Sequence, residues 1–297
     1  MRVRPQTLAF RQLTRRKFLY TSALTLAGAS ALSTDGFVES NYARVVKLEI
    51  SLPRLPEAFD GLTIAQLSDF HYDRFSIVPI RKAVDLVNDL KPDVIALTGD
   101  FVTAPIFENA SSLQLAAKTA GPCAEILSHL HSPIGSFAVL GNHDGAAGGA
   151  QIAAALRDHQ ITVLRNKSVP LERGAARLWF AGIDDALRGL PDLSAAIGKI
   201  PSNEPIILLA HEPDFADDAS LSPIDLQLSG HSHGGQIWIP GIGAPWLPPM
   251  AREYPRGLYR VGDLTLYTNI GIGTIRAPIR INCPPEVTLI TLRTRAR

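Results

Sequence analysis

The chain has 297 residues, 46% of them hydrophobic and 19% charged, which excludes an intrinsically disordered chain and is enough for one large α/β domain with a sizeable core. The formal net charge of +1 hides an asymmetry: Arg2, Arg4, Arg11, Arg15, Arg16 and Lys17 stand in a first stretch, residues 1–31, that has no acid, and the remainder carries −5. That balance argues against nucleic acid as a partner, since binding the phosphate backbone needs a basic face.

The chain opens on Thr14-Arg15-Arg16-Lys17-Phe18-Leu19, a weakly apolar run to Leu32 and the cleavage pattern Ala29-Ser30-Ala31. At roughly 15 residues the run is shorter than the ~20 that span a bilayer as a helix, so residues 1–31 read as a signal peptide. A signal left uncut would instead keep the chain attached to the membrane. The paired arginines resemble the twin-arginine export signal, whose passengers cross already folded. The resemblance implies the twin-arginine translocase as a partner during export. It implies as destination the periplasm or the periplasmic face of the inner membrane.

Residues 32–44 read as a polar linker and the rest, 45–297, as one domain. Residues 45–52 form an edge strand ended by Pro53, and residues 62–67 a buried strand that delivers Ser68-Asp69-Phe70-His71 to its end. Ile80, Ala83, Val84, Val87 and Leu90 follow helical spacing up to Lys91-Pro92-Asp93, and strand 94–97 closes on Thr98-Gly99-Asp100. This is a βαβ unit with acids at both strand ends, where α/β sheets place their sites.

Residues 111–130 are helical, with a break expected at Gly121-Pro122, and strand 137–140 leads into Gly141-Asn142-His143-Asp144. A short helix follows at 151–159. Strands at 161–164 and 178–181 are expected to begin a second sheet. Apolar residues 206–210 deliver His211, residues 226–228 deliver Gly230-His231-Ser232-His233, and 264–267 and 287–292 read as antiparallel strands. No internal repeat is present. Cys123 and Cys283 match no Cys-x-x-Cys metal spacing and leave two readings open, one disulfide after export or two buried thiols.

Five of the eight histidines, His71, His143, His211, His231 and His233, follow these apolar runs. Asp-x-His and His-x-His place two ligands two residues apart, the spacing at which side chains leave an extended segment on one side. Imidazoles and carboxylates without a thiolate suit Zn, Mn or Fe. The pentapeptide Gly230-His231-Ser232-His233-Gly234 also matches the serine-hydrolase elbow, whose triad runs serine, acid, histidine, but no histidine follows His233.

The ordered set Asp-x-His, Gly-Asp, Gly-Asn-His-Asp, His and Gly-His-x-His resembles the calcineurin-like metallophosphoesterase superfamily from about Leu62 onward. The resemblance implies an α/β fold, a four-layer α-β-β-α sandwich with two mixed sheets, and two divalent metal ions. By motif position, Asp69, His71 and His233 would hold one metal, Asn142, His211 and His231 the other, and Asp100 would bridge them. His143 would face the substrate phosphate and protonate the leaving group, with Asp144 orienting its imidazole. A hydroxide bridging the metals would be the nucleophile, since two ions can lower a water's pKa from 15.7 toward ~7. A catalytically silent scaffold of the same fold would be expected to have lost ligands or His143, and this chain has lost none. Thr103 stands three residues after Asp100, where purple acid phosphatases carry an iron-binding tyrosine, so that subclass is not expected.

Further on, Gly234-Gly235-Gln236-Ile237, Tyr254-x-x-Gly257-Leu258-Tyr259, Gly271-Ile272-Gly273-Thr274 and Pro278-Ile279-Arg280-Ile281-x-Cys283-Pro284-Pro285-Glu286 resemble the bacterial membrane-associated branch. That branch includes phosphodiesterases and UDP-2,3-diacylglucosamine hydrolases, which cleave a pyrophosphate in lipid A precursor synthesis. The resemblance implies a phosphoester substrate that is in some members lipid-linked. One departure is Thr268-Asn269-Ile270, where an arginine is expected before the Gly-x-Gly. Trp238 and Trp246, in a proline-rich loop, suggest an apolar lip for acyl chains or a membrane surface, against a loop folded onto its own core.

Overall fold

The computed structural model describes residues 33–294. The signal read at residues 1–31 lies outside the described residues. In chain order the strands are β1 (Arg44–Leu52), β2 (Thr63–Leu67), β3 (Val94–Leu97), β4 (Gly135–Ala138), β5 (Thr162–Val163), β6 (Lys167–Arg173), β7 (Ala176–Gly182), β8 (Ile206–Leu209), β9 (Leu226–Ser229), β10 (Gly257–Val261), β11 (Leu264–Thr268) and β12 (Glu286–Thr294). They form two six-stranded sheets, ordered β1-β12-β2-β3-β4-β5 and β10-β11-β9-β8-β7-β6. Both are mixed. The first is parallel except where β12 meets β2, and the second is antiparallel only at its outer pairs, β10 with β11 and β6 with β7.

Strand alternation sorts the apolar side chains into three cores. Along β8, Ile207 and Leu209 face the other sheet, where they join Ile64, Val94, Ala96 and Phe137. Ile206 and Leu208 face outward onto α6 (Ala216–Ala219), and α5 (Leu193–Ile197) covers the same side. On the far face of the first sheet, Leu67, Ile95 and Leu97 pack against α1 (Ile77–Leu90), α3 (Ala120–Leu127) and α4 (Asn142–Asp158), with α2 (Ala110–Ala117) preceding α3. The result is the expected sandwich of helices, two sheets and helices.

Several boundaries differ from the sequence expectation, each for a local reason. The break between α2 and α3 falls at Lys118-Thr119, and Gly121-Pro122 lie in the first turn of α3. A proline there forfeits an N–H that has no intrahelical partner anyway. Helix α4 begins at Asn142 and runs through the glycine-rich stretch, bending at Gly148, whose φ is 118°. Strand β5 extends the first sheet, so the second sheet starts at β6. Strands β11 and β12, read as antiparallel, lie in different sheets.

The segment read as a linker is in part helical, over residues 33–39. It is fastened to the domain: the Gly36 carbonyl accepts the Arg280 N–H at 3.0 Å, and the Glu39 carboxylate accepts the N–H groups of Asn282 and Cys283 at 3.1 and 2.6 Å. Of the two cysteine readings, unpaired thiols is the one found, with Cys123 and Cys283 both free and buried. No helix among the described residues is long and apolar enough to cross a membrane.

Candidate metal centre

The candidate residues meet at the C-terminal edges of both sheets. Asp69 and His71 follow β2, Asp100 follows β3, Asn142 and His143 open α4 behind β4, His211 follows β8, and His231 and His233 follow β9. The parallel strands at the centre of each sheet end on the same side, so their terminal loops converge in the crevice the two sheets share.

The backbone there is not the extended one expected from the i, i+2 spacing. Asp69, His71, Asp100, His231 and His233 have φ between 43° and 68°, the left-handed region that costs an L-residue about 1–2 kcal/mol. Cross-links hold them in it. The N–H groups of Asp69 and His71 bond to the carbonyls of Gly99 and Asp100 at 2.9 and 3.0 Å, and the His231 N–H donates to both Asp69 oxygens at 3.0 Å. Such strain persists only where the surroundings over-determine it, and it collects at functional sites. Two glycines permit the close approach of these loops. A Cβ at Gly141 would lie 2.7 Å from the His211 ring, and one at Gly230 would lie 2.5 Å from Asp69 Oδ2.

Three groups of ligand atoms result, each within 4.8 Å: Asp69, His71 and His233; Asp100, His211 and His231; and His71, Asp100 and His143. The His-x-His pair is thus divided between two clusters, and Asp100 lies between them, 3.4 Å from His71 Nε2 and 3.2 Å from His211 Nε2. His233 Nε2 is 3.3 Å from Asp69 and 3.0 Å from His71 Nε2.

Hydrogen bonds at the far side of three rings turn lone pairs toward this space. His211 Nδ1–H donates to the Thr98 carbonyl at 2.6 Å, which turns Nε2 toward this space, 3.2 Å from Asp100. His231 Nε2–H donates to the Pro249 carbonyl at 2.8 Å, leaving Nδ1, and His71 Nδ1 meets Thr103 Oγ1 at 3.2 Å, leaving Nε2. Carbonyl and hydroxyl partners of this kind fix tautomer and ring orientation in metal-binding histidines. Burial pushes His71 and His231 down to about 3 and His233 well below its usual value, so these rings are neutral and can donate a lone pair.

The same chemistry asks for a cation. Asp69 and Asp100 are fully enclosed, and burial lifts Asp69 to about 6. Burial opposes a proton on His211, yet the Asp100 carboxylate outweighs it and holds that imidazole well above its usual range. Buried Asn142 Oδ1 has no hydrogen-bond partner. Orphaned acceptors around buried carboxylates fit divalent ions, which would take the place of the proton on His211.

His143 stands beside this cluster with its ring perpendicular to that of His71, centroids 4.8 Å apart. The Ala104 N–H donates to His143 Nδ1 at 2.9 Å. A backbone N–H can only donate, so the neutral ring carries its proton on Nε2. Asp144 does not orient this ring, contrary to the sequence expectation. Its Oδ1 accepts from Phe101 and Val102 N–H at 2.9 and 3.1 Å and its Oδ2 from Gly141 N–H at 3.0 Å. From the third position of α4 the carboxylate reaches the chain's own backbone, and it ties the loops after β3 and β4 together while Ala104 sets the imidazole.

Sequence reasoning missed several supporting residues. Thr103, used only to exclude a tyrosine ligand, supports His71. Buried Gln66 bridges the two sheets through Ser229 O and Thr98 Oγ1 at 2.9 and 3.2 Å. Glu212, next to His211, and Asp185, both buried, accept the N–H groups of Ala186 and Arg188 at 3.1 and 2.5 Å and so hold the loop that carries Arg188.

The Gly271–Gly273 loop is held from beneath by an arginine of the later motif. The fully buried Arg280 guanidinium donates to the carbonyls of Ile270, Gly271, Gly273 and Cys283 at 2.6 to 3.2 Å, under the loop that touches Asp69. Arg280→Met would leave those acceptors unpaired and is expected to lower unfolding free energy by about 3 kcal/mol or more. Urea denaturation measures it, and a midpoint matching the parent's would contradict the role.

The cluster opens into a cleft of about 510 Å³ lined by Asp100, Asn142, His143, His231 and His233 on its floor and by Ile106, Leu187, Arg188, Trp246 and Arg276 toward its mouth. Trp238 is half-buried beneath Arg256, 4.2 Å from its ring, and does not line the cleft, whereas Trp246 lines it and is 58% exposed. Exposed apolar groups include Trp246 and Leu187 of the cleft lining and Ile106 and Phe107, from the loop after β3, which the sequence reading passed over.

A family model described as calcineurin-like phosphoesterase matches residues 62–235, the span that holds every candidate ligand. The chain belongs to this family. Phosphoesterases of similar sequence include YkuE of Bacillus subtilis, an uncharacterized metallophosphoesterase that is 32% identical over 95% of this chain and 99% of its own length. Phosphodiesterase YaeI of Escherichia coli is also 32% identical, over 94% and 99%. UDP-2,3-diacylglucosamine pyrophosphatase LpxG of Chlamydia trachomatis is 27% identical over 91% and 96%. Family membership makes the chain a phosphoester hydrolase, and its clustered ligands suit the metal dependence of that family.

Proposed function

We propose that the chain hydrolyses a phosphodiester or a pyrophosphate at a two-metal centre. Asp69, His71 and His233 hold one ion, Asn142, His211 and His231 hold the other, and Asp100 is shared. The observation that carries this is the convergence of bare acceptor atoms from both sheets on one buried space, with three of the histidine rings fixed from behind. Bound there, divalent ions supply Lewis acidity, making water acidic enough to attack at neutral pH and neutralising phosphoryl charge. His143 Nε2–H, facing the same space, donates to a phosphoryl or departing oxygen. Zn, Mn and Fe all suit the donors.

The substrate in this reading is lipid-linked, and the chain works after export, in the periplasm or on the periplasmic face of the inner membrane. Support comes from the arginine-paired leader, the apolar groups flanking the cleft, and the substrate named for the related LpxG. A nucleotide-linked lipid precursor is made on the cytoplasmic side, so an exported chain would act on a different lipid phosphoester or keep its leader as an anchor. The test is a panel with Mn²⁺ comprising bis(p-nitrophenyl) phosphate, p-nitrophenyl phosphate and a lipid-linked diphosphate, before and after chelation. Diester and diphosphate are expected to be hydrolysed at least about tenfold faster than the monoester, with all activity lost to chelation. Preference for the monoester would contradict the proposal.

A further inference from the structure

Arg276 sits in the cleft mouth in a conformation its side chain does not favour. Its φ is 66°, a left-handed value that glycine or asparagine adopts more cheaply. The surrounding loop enforces it. Gln236, three residues after His233, accepts the Ile275 N–H on Oε1 at 2.5 Å and donates from Nε2 to the carbonyls of Ala277 and Ile279 at 3.4 and 3.3 Å. The segment bearing Arg276 is therefore registered against the turn that carries one candidate ligand. The guanidinium rests 5.5 Å from the Trp246 ring centroid. Among the described residues it has no ion pair and no hydrogen bond. The cleft's other guanidinium, Arg188, is already paired with Glu108 at 3.1 Å.

Arg276 is exposed at the cleft mouth, so its pre-positioned guanidinium, unpaired within the described residues, is open to an anion from outside the chain. The floor of the cleft already accounts for the scissile phosphoryl group. A volume of about 510 Å³ is of the size that holds a whole small ligand, not one phosphate. We infer that Arg276 binds a second anionic group of the substrate, and so selects a diphosphate diester over a simple phosphodiester. The planar fork of an arginine matches phosphate oxygens in pairs, and its stacking on Trp246 limits the rotamer freedom lost on binding. This deepens the phosphoesterase reading and rests on it for the identity of the first phosphoryl group.

The test compares Arg276→Gln and Arg276→Gly with the full-length parent. In both variants kcat/KM for a nucleoside diphosphate sugar, relative to that for bis(p-nitrophenyl) phosphate, is expected to fall about tenfold or more, chiefly through KM. Equilibrium binding of α,β-methylene uridine diphosphate, which cannot be hydrolysed, is expected to weaken about tenfold as well. Arg276→Gly releases the backbone strain, so it should melt no earlier than the parent while losing the same selectivity, which separates recognition from misfolding. An unchanged ratio with unchanged binding would overturn the inference. If the parent hydrolyses neither substrate, the phosphoesterase reading fails, and the binding comparison still decides for or against Arg276.

Discussion

Asp100→Asn is expected to lower kcat/KM for bis(p-nitrophenyl) phosphate by about 10³-fold or more and to leave fewer than two metal ions per chain. No other side chain is so central. Its Oδ2 lies 3.2 Å from His211 Nε2 and 3.4 Å from His71 Nε2, and its Oδ1 accepts the His143 N–H at 2.9 Å. Asparagine can keep that last bond and nearly the same volume, so the fold has little reason to suffer. It cannot supply the buried negative charge, nor accept with its second atom, and both clusters would be weakened together. Metal content by elemental analysis, read beside kinetics, measures the effect. Two retained ions with near-parental turnover would remove Asp100 from its place between the clusters.

His143→Ala separates chemistry from metal binding. It is expected to reduce kcat about 10²- to 10⁴-fold, the range of a single positioned acid–base or donor group, while metal content stays at the parental level. The imidazole is held by Ala104, and it lies at the cluster's edge with its Nε2–H free to meet a phosphoryl oxygen. Equal metal loss in the Asp100 and His143 variants would make His143 a ligand, a position its inclusion in one of the three ligand groups makes worth testing. Asp144→Asn should behave unlike either: three backbone N–H groups converge on that carboxylate, so its loss is expected to lower thermal stability before it lowers turnover.

Strand-end motifs were legible in the sequence because an apolar run that stops abruptly on charged or metal-ligating residues is the pattern of a buried strand opening onto a site. Leu62 to Leu67 could hardly be anything but buried, and Asp69 and His71 had to emerge at its end. What could not be read was local backbone and long-range support. Left-handed φ at Asp69, His71 and His231 goes with contacts between loops distant in sequence, such as His71 with Asp100 and His231 with Asp69. Asp144 was assigned to His143 because the two are adjacent, whereas a helix start turns its third residue back onto preceding N–H groups. Arg280 and Arg276 are four positions apart and chemically alike in sequence. Packing buries the first under the Gly271–Gly273 loop and leaves the second open in the cleft. Trp238 and Trp246 look equivalent for the same reason, but packing half-buries the first and leaves the second exposed in the cleft.

We propose that this site holds two divalent ions and that phosphoester hydrolysis requires both. The chain should be stripped by chelation and titrated with Mn²⁺ while bound metal and bis(p-nitrophenyl) phosphate hydrolysis are followed together. The expected result is no turnover in the stripped chain and full turnover at two ions per chain. Hydrolysis that persists without metal, or that saturates at one ion, would contradict it.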